Sequence, residues 1–367
     1  IKAHETYYTR IVANKTHYFQ FALPVQSTTN NIQTTAGDIC VLDKHWRLNT
    51  YDTQLRAEQG NIADNWVRYT GETIEAHKGY AMLSASAYYR EYLFPVVYAE
   101  TEAEKQVAVT APQGVVDAAH NGWNYICSPY ADKYISVLAD DPTERAYVSE
   151  LRKDGSGYRQ HVADTIYPAR PFYYQAAEAG NLIFGESLHF EAGIAQTVAA
   201  HIQTANPVTT QWLQLVIRDT TGQTDEANIC THPTKFATAY ETGKDLLKLH
   251  GNGQHIELYS LMPCGELSFN ALPDSLTAIG VRLGYHAAQA GTYTLQLTPN
   301  GYLERVAQVW LTDKQSNTQT DLLLQDYSFT TQAGEHQDRF AVYCVFRTQD
   351  TPTGMHPIGD AAGVAQK

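Results

Sequence analysis

Short runs of alternating side chains, cut by turn residues, dominate this chain. THYFQFALPV (16–25), WLQLVIRD (212–219), HIELYSL (255–261), GTYTLQLTP (291–299), RVAQVWLTD (305–313) and RFAVYCVF (339–346) repeat apolar or aromatic residues with period two. Gly, Pro, Asn and Asp bound these runs. Successive side chains of a strand point to opposite faces, so the pattern specifies half-buried strands. Many short strands with frequent turns predict an all-β fold of tandem antiparallel β-sandwich or jelly-roll-like domains with few short helices. Two segments read as helices: ADKYISVLADD (131–141) and GKDLLKLHG (243–251).

The first half of the chain echoes itself. TIEAHKGYAM (73–82) lies over TIYPARPFYY (165–174), and HYFQFALP (17–24) over GWNYICSP (122–129). The first overlay is offset by 92 residues and the second by 105, so the first copy carries about 13 extra residues, assigned to the region around GNIADNWVRYTG (60–71). A degenerate duplication follows. It gives a first β-lobe at 1–110, a second at 111–207, a C-terminal β-sandwich at 208–347 after the polar stretch ANPVTTQ (205–211), and a tail or linker at 348–367. Within GWNYICSP, alternation sets Trp123, Tyr125 and Cys127 on one face and Asn124 and Ile126 on the other.

Length and composition fit this plan. The 367 residues suit two to three domains, and 43% hydrophobic with 18% charged residues is enough to build cores. A net charge of −13 with pI near 5.5 offers no basic stripe for a nucleic-acid backbone or an anionic lipid surface. No apolar run reaches the length of a membrane span, so no membrane span is expected. The chain opens in strand-like sequence without a signal peptide, which reads as a cytosolic protein or a mature form whose leader has been removed. The five cysteines form no CxxC pair, and most sit in apolar runs as buried thiols; a Cys230–Cys264 disulfide is left open.

Candidate chemistry is sparse. Cys127 has no cation beside it and His120 is seven residues upstream, so it reads as a structural thiol. The histidines show no HExxH or HxH spacing, and GESLH (185–189) lacks the second glycine of a nucleophile elbow. In DTTGQTDE (219–226), Asp219, Asp225 and Glu226 are weak candidates for a cation on a tight turn, against a solvated hairpin loop. Trp46, Trp66, Tyr88, Tyr89 and Trp123 are weak candidates for stacking on sugar rings, against ordinary core packing. Arg339 is expected to pair with Asp321 or Asp338 across a hairpin. No cofactor and no catalytic residue is assigned.

Taken in order, YYTRIV, WRLNTYDTQLRAEQGNIADNWVRYTGETIEAHKGYAM, GWNYICSPY, IYPARPFYYQA, GYHAAQAGTYTLQL and VWLTDKQSNTQTDLLLQDYSFTTQAGEHQDRFAVY resemble secreted, cell-surface, multi-domain β proteins of Bacteroidetes of the cell-adhesion type. The likeness runs over about residues 6 to 350. It departs at Cys127-Ser128, where that group usually has Gly-Asn. The resemblance implies an extracellular or outer-surface protein with a non-catalytic adhesion or scaffold role. Its implied partners are a glycan or a host-surface or matrix protein. Carbohydrate binding in a glycan-utilisation system is the first alternative, and a hydrolase with an unrecognised site the second. Oligomeric state stays open.

Overall fold

The computed structural model describes residues 7 to 346 apart from several stretches, the longest being 97–104, 139–146, 190–210, 233–238 and 299–305. The expectation of an all-β protein of sandwich-like units holds. The first lobe comprises β1 (Tyr7–Ala13), β2 (Phe19–Ala22), β3 (Ser27–Thr28), β4 (Ile32–Gln33), β5 (Ile39–Cys40), β6 (Trp46–Tyr51), α1 (Thr53–Gln59), β7 (Trp66–Arg68), β8 (Thr73–Ile74), β9 (Gly79–Ser84) and β10 (Arg90–Val96). One sheet runs β2-β9-β6-β7, and β10 organises the facing six-stranded sheet with β1, β3, β4, β5 and β8. Phe21, Trp46, Leu48, Tyr80 and Met82 from the first sheet meet Ile11, Ile32, Tyr92 and Phe94 from the second in one dry core. This is a jelly-roll sandwich.

The second lobe holds β11 (Lys105–Val109), β12 (Trp123–Ile126), β13 (Lys133–Leu138), β14 (Tyr147–Leu151), β15 (Tyr158–Val162), β16 (Phe172–Gln175) and β17 (Gly180–His189). Its sheet β12-β16-β14-β15 repeats the order of β2-β9-β6-β7, and β11-β17-β13 faces it. Two expectations are corrected here. Lys105–Val109, assigned to the first lobe, pairs with β17, so the second lobe includes these residues. Lys133–Leu138, within the expected helix 131–141, is a strand on β17, because cross-strand pairing overrides local propensity.

The repeat extends to individual backbone pairs. Phe21 pairs with Tyr80 and Phe19 with Met82 in the first lobe. Ile126 pairs with Phe172 and Asn124 with Tyr174 in the second, as the overlays require. Leu48 faces Met82 as Val148 faces Tyr174, an offset of 100. Asn49 faces Arg68 as Ser149 faces Gln160, which puts β7 and β15 back at an offset of 92. Of the 13 extra residues, 5 therefore fall between β2 and β6 and 8 between β6 and β7. The larger insertion carries α1. Asp52 caps it by accepting from the Leu55 N–H at 3.0 Å, and Gly60, at φ 69°, ends it with its N–H on the Arg56 carbonyl.

The C-terminal unit contains β18 (Gln211–Asp219), β19 (Thr224–His232), β20 (Leu246–Leu247), β21 (Glu257–Met262), β22 (Gly265–Pro273), β23 (Ala278–Ala287), β24 (Gly291–Leu297), β25 (Val306–Asp313), β26 (Thr318–Asp321), β27 (Tyr327–Thr331) and β28 (Gly334–Phe346). They form one 11-stranded sheet that ends in β26 and β27. The pairing is antiparallel except where β19 runs parallel to β22. The Tyr327 hydroxyl reaches Thr318 Oγ1 at 3.3 Å and Asp313 at 2.8 Å, so the two sheet edges meet and the sheet closes nearly to a barrel. GKDLLKLHG, expected to be helical, contributes only the two-residue strand β20, after a turn at Lys244. Arg339 pairs with Asp313 rather than with Asp321 or Asp338, at 2.8 Å with its Nη2, while Asp338 takes Arg282.

Candidate functional site

β12 is buried on both faces, and that places the most distinctive cluster of the molecule. Ile126 enters the core of the second lobe, whereas Trp123 and Tyr125 turn to a seam shared by all three units. Tyr51 and Trp66 enter the seam from the first lobe, Tyr173 and Tyr158 from the second, and Leu246, Leu267 and Phe269 from the C-terminal unit. The rings meet mostly edge to face: Tyr51 on Tyr173 at 5.2 Å, Trp66 on Tyr125 at 5.2 Å, Tyr158 on Tyr173 at 5.7 Å. Such pairs add about 0.5–1.5 kcal/mol each beyond the area they bury. Burial pushes the Tyr125 and Tyr173 phenols well above their ordinary range. Gly79 is required here, because a Cβ on it would stand 2.0 Å from Cδ1 of the Tyr125 ring.

Polar bonds complete the junction. Between the lobes, the Tyr125 hydroxyl donates to Gln20 at 2.6 Å and the Cys127 N–H to the His77 carbonyl at 2.9 Å. Toward the C-terminal unit, Gln160 donates to the Leu247 carbonyl and accepts from the Leu249 N–H. Asp225 binds Arg152 at 3.0 Å, accepts from the Leu258 N–H at 2.7 Å and takes the buried Lys248 ammonium.

The guanidinium of Arg56 lies over Trp123, 5.4 Å from the ring centroid. It is only 1% exposed, and its Nε and Nη1 have no hydrogen-bond partner among the described residues. Burial lowers its pKa from the ordinary arginine value. Nδ1 of His120, on the 3₁₀ turn Ala118–His120, is likewise buried without a partner, and burial and then the Arg56 charge hold its pKa down.

Two of the candidate sugar-stacking rings are consumed by packing. Trp46 is fully buried in the first lobe's core and Trp123 in the seam, so neither can stack on a ligand. Trp66 is half-buried, its edge taken by Tyr51 and Tyr125. Tyr88 and Tyr89 lie outside the described residues. Among the described residues, the aromatics that face solvent are Tyr18, Phe19, Tyr167 and Tyr343. Sequence reasoning missed them, although Tyr18 and Phe19 sit together where the edge strand β2 begins.

The acidic candidates diverge as well. Asp219 folds its carboxylate onto the Thr221 and Gln223 N–H groups of its own turn, Asp225 is committed to Lys248 and Arg152, and Glu226 accepts from Gln214. Among the described residues no cluster of His, Cys, Asp and Glu converges as a metal site would. His250 does lie between two carboxylates, but Glu257 takes its Nδ1 and Glu266 its Nε2, both at 2.6 Å, so the acids bracket the ring from opposite sides. Cys127 is buried, and its Sγ lies 3.3 Å from the Ser128 carbonyl. Burial drives the thiol pKa far up, the reverse of what a nucleophile needs. All five cysteines are free thiols, so the Cys230–Cys264 bridge is not formed.

No curated protein matches the chain. A solved chain from "X-ray structure of the entire lipid-containing bacteriophage PM2" aligns over 94% of this chain and 87% of its own, at 11% identity and a TM-score of 0.14, too low to indicate a shared fold. Residues 211–343, from the first strand of the C-terminal unit into its last, match the family model described as a domain of unknown function, DUF8693.

Proposed function

We propose that this chain is a non-catalytic scaffold subunit, displayed at an outer cell surface and presenting loops and strand edges from a rigid core. The observation that carries the reading is the seam: a buried aromatic cluster draws on all three β units, and the Arg152–Asp225 ion pair ties the second lobe to the C-terminal unit. Jelly rolls serve in capsid and lectin domains and in cupins alike, so the architecture alone does not select a role. The disposition of side chains supports the scaffold reading. Trp46 and Trp123 are spent on packing, and Asp219, Asp225 and Cys127 are committed to a turn, ion pairs and a core. Surface display rests on the resemblance in sequence.

A glycan and host-matrix array with the purified chain tests this. The scaffold reading expects no saturable glycan binding. Binding that is lost in Trp66→Ala or Tyr18→Ala would replace it with carbohydrate recognition.

A further inference from the structure

We propose that Arg56 is the recognition group of a buried site for a small oxyanion, of the size and charge of a simple carboxylate, in the seam between α1 and the 117–121 turn. An arginine cannot shed its charge at physiological pH, and a buried cation without a partner costs several kcal/mol. The Trp123 face recovers only about 1–2 kcal/mol. Nε and Nη1 stay unpartnered among the described residues, at 1% exposure.

Two further buried groups lie around the same helix. Asn65, fully buried, accepts the Asp52 N–H through its backbone carbonyl at the turn where α1 starts, and its side chain lies within hydrogen-bonding reach of the Tyr51 phenol. Arg56 is one turn further on, its N–H bonded to the Asp52 carbonyl. His120, close enough to feel the Arg56 charge, has its Nδ1 buried and unpartnered among the described residues. The buried N–H groups of Arg56 complement an acceptor-only anion, and Asp117 is the carboxylate whose charge acts on both Arg56 and His120. The backbone at Gly114 presses so closely on α1 that a Cβ there would fall 1.6 Å from the Ala57 carbonyl oxygen, so the occupant must be small.

The test is thermal unfolding of the full chain, dialysed into chloride buffer, with sodium acetate titrated against sodium chloride at equal ionic strength. Phosphate is run as the bulkier oxyanion. Wild type is compared with Arg56→Met, Arg56→Lys and Asp64→Asn, since Asp64 is the acid nearest in sequence that lies outside the described residues. The site predicts that acetate raises the wild-type Tm along a saturating curve and phosphate does not. Arg56→Met loses the response and melts no lower than wild type in chloride. Arg56→Lys keeps the fold but binds acetate at least about tenfold more weakly, having lost the planar donor set. Asp64→Asn responds as wild type does. The proposal is overturned if wild type ignores acetate, if Arg56→Met keeps the response, or if Asp64→Asn and Arg56→Met are each destabilised in chloride, which would make Asp64 the native counter-ion.

Discussion

Replacing Asp225 by Asn should destabilise the chain by an amount that depends on pH. Asp225 joins the second lobe to the C-terminal unit through Arg152, at 3.0 Å, and holds the ammonium of Lys248, whose side chain is 1% exposed. In the variant Lys248 is a buried cation without its carboxylate. It can stay charged, at a cost of several kcal/mol, or release its proton. Releasing it from an ordinary lysine value of about 10.4 costs about 1.4 kcal/mol per pH unit, so the penalty is capped at about 4–5 kcal/mol at pH 7 and about 2 at pH 9. The sign follows from proton binding: the unfolded variant binds the lysine proton and the folded one does not, so its stability rises with pH up to the ordinary lysine value. Lys248→Met is milder and insensitive to pH over this range. It leaves Asp225 with Arg152 and the Leu258 N–H, for a loss of about 1–3 kcal/mol. Urea unfolding of both single variants and the double variant, at pH 7 and pH 9, measures all of this. Single-variant losses that simply add in the double, or an Asp225→Asn penalty that is the same at both pH values, would refute the reasoning.

Gly79→Ala should cost about 1–3 kcal/mol by driving a methyl group into the Tyr125 ring, and the loss should shrink when Tyr125→Leu is added, as a denaturant double-mutant cycle would show. Burial opposes the charge on His250, yet its hydrogen bonds to Glu257 and Glu266 lift its pKa to about 9. A raised histidine gives stability that is full below its unfolded value near 6.5 and is lost as pH climbs through about 9. That slope between pH 6.5 and 9 should flatten in His250→Gln, and an imidazole NMR titration should place the midpoint well above that of a free histidine. Cys264 is the one cysteine with a half-exposed position, so a native thiol-labelling time course followed by peptide mapping should modify it before Cys40, Cys127, Cys230 and Cys344.

The matching register of the two lobes was legible because strand register and side-chain pattern are the same information: period two fixes which residue faces which, and Phe21–Tyr80 and Ile126–Phe172 pair alike in both. The helix in the insertion was not, since TQLRAEQ has no apolar stripe. Its only signals were the caps, Asp52 and Gly60. KYISVL read as helix because a short apolar run suits either period, and its partner strand β17 lies dozens of residues downstream. The seam was hidden for a related reason. Trp123 and Trp66 look alike as candidates in sequence, and only contacts such as Tyr125 with Gln20, 105 residues apart, decide which ring is consumed. The Arg339–Asp313 pair likewise needs the β25–β28 register, which no local pattern supplies.

Calorimetric unfolding of the intact chain tests the central claim most directly, that the two lobes and the C-terminal unit are welded into one body. The seam and the Arg152–Asp225 pair predict a single transition whose calorimetric and van't Hoff enthalpies agree. Separate melting of the C-terminal unit, with the two lobes left folded, would contradict it.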